Sequence, residues 1–77
     1  MPSSPPATVI RLRPDAFAAW AARLGLETEG AQAEHIGVDR TTLSRVRRGD
    51  IIPGERFIAA VLAASGCKFE KLFEVVQ

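Results

Sequence analysis

Seventy-seven residues suffice for one small domain whose apolar core lies near the lower limit for folding without staples. The single cysteine excludes an internal disulfide. With no run of about 18 apolar residues and no basic-then-apolar leader, the chain reads as cytoplasmic and without a membrane partner. A net charge of +1 argues against a protein that coats nucleic acid by charge alone.

Residues 1–7 hold three prolines and two serines and are expected to form a disordered arm ahead of one helical domain over 8–77. In 8–13, Ile10 and Leu12 alternate with Arg11 and Arg13, the pattern of a short strand with one apolar face. Pro14 then suits the first position of a helix in which Phe17, Trp20, Ala21 and Leu24 share a face, with Gly25 ending it. Thr28 caps a second helix from about Glu29 to Ile36, and Asp39 a third from about Arg40 to Arg47. After a loop at 49–52, Pro53 is expected to open a fourth helix with Phe57, Ile58, Val61 and Leu62 on its apolar face and Gly66 at its close. A short fifth helix over 69–72 leads into a terminal strand, 73–76. Two lone strands are unstable, so 8–13 should pair with 73–76. The fold class is all-α: five helices, with a small antiparallel strand pair formed by the terminal segments.

The stretch 32–49 is the most informative. Ala33, Gly37, Val38 and Leu43 have the spacing that lets two helices cross closely at a steep angle. Ala33 lets the backbones approach, Gly37 can take the positive φ that ends the first helix, and Val38 fills the elbow. At about 100° per residue, Leu43 and Val46 share the buried face of the second of these helices. Thr41, Ser44, Arg45 and Arg48 lie on the opposite face, with Arg40 at its edge. An ordinary solvated face mixes signs, whereas this one has no acid between Asp39 and Asp50, and its arginines repel one another. Arginine grips guanine bidentately and threonine offers a hydroxyl and a methyl, so the face suits base edges and phosphates. The charge is local: residues 39–56 hold five basic and three acidic side chains, against three and four in 1–38. That distribution favours a sequence reader with few phosphate contacts.

Residues 28–65 resemble the lambda-repressor-like helix-turn-helix family of the Cro/CI, xenobiotic-response-element type. The resemblance runs from Thr28 through Ala33, Ile36-Gly37-Val38, Thr42-Leu43-Ser44-Arg45-Val46 and Arg48-Gly49 to Pro53 and the helix beyond it. It implies a helix-turn-helix over 28–48 inside a five-helix unit, with the helix at 40–47 lying in the major groove of double-stranded DNA. The base-reading set is then Arg40, Thr41, Ser44 and Arg45, and the phosphate-facing set Thr42, Arg47 and Arg48. The sequence departs from the family at Glu29, where a glutamine often meets phosphate. A carboxylate there would be repelled, which leaves Glu29 to serve the helix dipole. The position usually filled by leucine is Gln32, expected at the margin of the core.

Other residues carry less. His35 falls on the outer side of its helix, with no Cys, Asp or second His at metal spacing. Trp20 and the phenylalanines are at core spacing, and Cys67 reads as a small buried hydrophobe. Ser44 has no base to activate it, so no enzyme, metal or cofactor is expected. The function implied is a sequence-specific transcriptional regulator, a repressor of phage or mobile-element type. An antitoxin with the same fold and a protein-interaction module are the alternatives, since fold does not fix function. One short reading helix covers few base pairs, so the expected partners are a two-fold operator and a second copy of the chain. The strand edge and the apolar residues of 69–76 are candidate dimer surfaces.

Overall fold

The computed structural model describes residues 9–76; the arm expected over 1–7 lies outside them. The alternating segment forms strand β1, Val9–Leu12, which pairs antiparallel with β2, Phe73–Val76, in the register Val9↔Val76 to Leu12↔Phe73. Between them run α1 (Pro14–Arg23), α2 (Glu29–Ile36), α3 (Arg40–Arg48), α4 (Glu55–Ser65) and α5 (Phe69–Leu72). Five helices and a two-strand antiparallel sheet are thus present among the described residues.

One core joins all the elements. Leu12, Phe17, Trp20, Ala21, Ala33, Ile36, Leu43, Val46, Phe57, Val61, Leu72 and Phe73 are all buried in it. Phe17 and Trp20 meet tilted at 5.4 Å between centroids, and Phe69 stacks on Phe73 at 5.2 Å. The sheet is locked to the helices by Arg13, the residue between β1 and α1. Its backbone N–H donates to Leu72 O at 2.7 Å, and its Nε lies 3.1 Å from both Glu70 O and Phe73 O.

Four positions differ from the pattern expected of the sequence. Leu24 follows the last residue of α1, off the helical face, and is 49% exposed. Pro53 does not open α4: Gly54 occupies the N-cap and Pro53 is buried just ahead of it, so its fixed φ shapes the entry loop. Gln32 is only 7% exposed, inside the core, and its Nε2 donates to Leu26 O at 2.9 Å. Cys67 is half-buried, its Sγ 3.8 Å from Ser65 O.

No helix among the described residues is long and apolar enough to cross a membrane.

Candidate nucleic-acid interface

Local chemistry sets the angle between α2 and α3. Thr28 Oγ1 accepts from Ala31 N–H at 3.1 Å and so caps α2. At the other end Gly37 adopts φ 87°, a left-handed conformation that a side chain would strain. Its N–H and that of Val38 both bond to Ala33 O, at 2.8 and 3.0 Å, closing the helix. Asp39 Oδ2 then accepts from Thr42 N–H at 3.2 Å and starts α3. Asp39→Ala should therefore cost about 1 kcal/mol of stability. Thermal melts of the variant and parent check this; equal midpoints would show that the cap contributes nothing.

Leu43 and Val46 pin α3 to the core. Of the residues read as base contacts, Arg40, Thr41 and Arg45 are exposed and Ser44 is half-buried. Arg40, Thr41 and Ser44 come together with Arg48 and Glu29 around an open cavity of about 230 Å³. Arg45 is exposed on α3 outside that cavity.

The residues read as phosphate contacts divide. Arg48 is exposed, and its Nε lies 3.2 Å from Asp50 Oδ2 in a solvent-screened pair that is worth little and is readily exchanged. Thr42 is half-buried, with its backbone N–H engaged by Asp39. Arg47 is turned toward α1 and α2. Its Nη1 donates to Glu29 Oε2 at 3.1 Å, and its guanidinium carbon lies 5.9 Å from the centroid of Phe17. This contact gives Glu29 a partner that the helix-dipole reading did not foresee. Residues 18 apart on separate helices leave no periodic signal of such a pair.

Arg11 is a further basic residue that the sequence pattern placed outward without a neighbour. Its Nη2 would lie 3.9 Å from a Cβ built on Gly49, which puts its charge beside the C-terminal end of α3, where the helix dipole favours a cation. His35 is exposed as expected, with its ring 5.8 Å from that of Trp20. No group of three or more His, Cys, Asp or Glu that could hold a metal occurs among the described residues.

No family model matches the chain, and no curated protein or solved structure matches it.

Proposed function

We propose that this chain is a sequence-specific regulator of transcription that binds double-stranded DNA by laying α3 in the major groove, in the manner of the lambda-repressor-like proteins it resembles. The observation that carries the reading is the outer face of α3. It bears Arg40, Thr41, Arg45 and Arg48 exposed to solvent and has no acid of its own, while Leu43 and Val46 fix the helix from behind. The major groove, about 12 Å wide, admits a helix, and these side chains hydrogen-bond to base edges and phosphates. Arg40, Thr41, Ser44 and Arg45 face bases in this reading, and Arg48 faces phosphate. Arg47 contributes by holding α3 against α1 and α2, which replaces the phosphate contact expected of it.

Repression by occupancy of an operator in the cytoplasm is the corresponding mode of action. A helix of nine residues reads only a few base pairs, so tight binding calls for two copies on a two-fold site. Leu72 and Phe73 close the monomer core and are not available to a partner. Leu24 after α1, Ile51 and Ile52 between α3 and α4, and Val75 in β2 remain as exposed large apolar side chains.

Selection of bound DNA from a random library tests the whole reading. A palindromic consensus is the expected result; failure to enrich any sequence would remove the function proposed. With the consensus in hand, Arg48→Ala should weaken binding to all sequences alike and lower the salt dependence by about one phosphate contact. A loss confined to one base position would make Arg48 a base reader instead.

A further inference from the structure

Glu29 is the one carboxylate on the wall of the cavity that Arg40, Thr41, Ser44 and Arg48 otherwise line. It is held from behind. Arg47 Nη1 donates to Oε2 at 3.1 Å, and the guanidinium is itself set over Phe17, whose side chain is fully buried. Both partners are mostly withdrawn from solvent, at 28% and 32% exposure, so salt screens this pair less than the exposed Arg48–Asp50 pair. Oε1 accepts no hydrogen bond among the described residues.

A carboxylate so placed has two effects on whatever enters the cavity. It repels phosphate, opposing the pull of the neighbouring arginines. It also presents a group that only accepts, where the arginines on the wall only donate and the hydroxyls of Thr41 and Ser44 do both. The groups in the major groove that satisfy an ionised carboxylate are exocyclic amino groups, N4 of cytosine and N6 of adenine; guanine and thymine offer only acceptors and a methyl. Carboxylate side chains characteristically take the cytosine amino group.

We propose that Glu29 is a specificity-determining residue, fixed by Arg47, which accepts a hydrogen bond from the exocyclic amino group of a base at one operator position and bars phosphate from that end of the cavity. The inference rests on the DNA-reading function proposed above. It gives Glu29 a role opposite to a phosphate anchor, because the residue lowers affinity for DNA in general and raises discrimination.

Random-library selection with the parent protein, Glu29→Ala and Glu29→Gln tests it. The parent should enrich cytosine at one position of each half-site, and enrichment of adenine would place the same amino chemistry on N6. Glu29→Ala should lose the preference at that position alone and bind scrambled DNA at least as tightly as the parent. The ratio of selected to scrambled affinity should fall about tenfold. Glu29→Gln keeps the size of the side chain and an acceptor for Arg47, which guards against loss of fold. With its oxygen turned to Arg47 it presents Nε2, a donor, to the base, so the preference for an amino group should be lost and move toward guanine, whose major-groove edge offers acceptors. Unchanged base preferences in both variants, with affinity raised equally for every sequence, would reduce Glu29 to a repulsive charge and overturn the proposal. If the parent itself enriches nothing, the DNA-reading function fails first, and that outcome is distinct from a parent that selects DNA without help from Glu29.

Discussion

Arg45→Ala should lose about 1–3 kcal/mol of affinity for the selected operator, roughly five- to 150-fold, while its affinity for scrambled DNA falls far less. Arg45 is exposed on α3, and no described side chain pairs with it. Its removal therefore leaves Leu43, Val46 and the packing beneath them untouched, and the thermal midpoint should not move. Titration of selected and scrambled duplexes at one fixed salt concentration measures the effect. Equal losses on both would assign Arg45 to phosphate, and no loss on either would remove it from the interface.

Phe73→Ala should destabilise the fold by about 3–5 kcal/mol. The side chain is fully buried, stacks on Phe69 at 5.2 Å and stands opposite Leu12 in the sheet. A cavity there opens at the seam between the sheet and the helices. Against a total stability of about 5–15 kcal/mol, with a small domain toward the lower end, the variant should be partly unfolded at ambient temperature. Val75→Ala, two residues along the same strand but 58% exposed, should change stability by less than about 0.5 kcal/mol. Urea unfolding of the two variants gives the comparison. Similar midpoints would mean that β2 contributes little to the core.

The elements legible in the sequence were those written in local chemistry. The caps Thr28 and Asp39 bond to the N–H groups three residues on, and Gly25, Gly37 and Gly66 have the positive φ that marks helix ends. The strand pair was legible for another reason: two short apolar segments at opposite ends had no other partner. What escaped was set by tertiary geometry. Leu24 fits the helical periodicity of α1 but stands one residue past the helix. Gln32 is polar, yet α2 turns it inward, where Leu26 O takes one of its hydrogens. The proposed reading face followed from the α3 wheel, which needs only the helical repeat. Arg47 and Glu29 could be paired only once the crossing of α2 and α3 was known, because both look like ordinary surface charges on their own helices.

The sheet also bears on the order of events in folding. Arg13 and Phe73 are 60 positions apart in the chain, so joining the strands closes a loop that contains all five helices. Closing a loop of that length costs roughly 4 kcal/mol of chain entropy, whereas the turns between α1, α2 and α3 span only a few residues. Helices α1 to α3 can gather through short turns, whereas the pairing of β2 with β1 and the packing of α5 on α1 must each close a long loop. Those closures also complete the core, because they seat Leu12, Leu72 and Phe73. The strands should therefore be as protected as the rest of the core. Exchange of the Arg13 amide, bonded to Leu72 O, is expected to require the same opening that exposes the Val38 amide at the elbow; a markedly faster Arg13 would show the sheet to be a detachable flap.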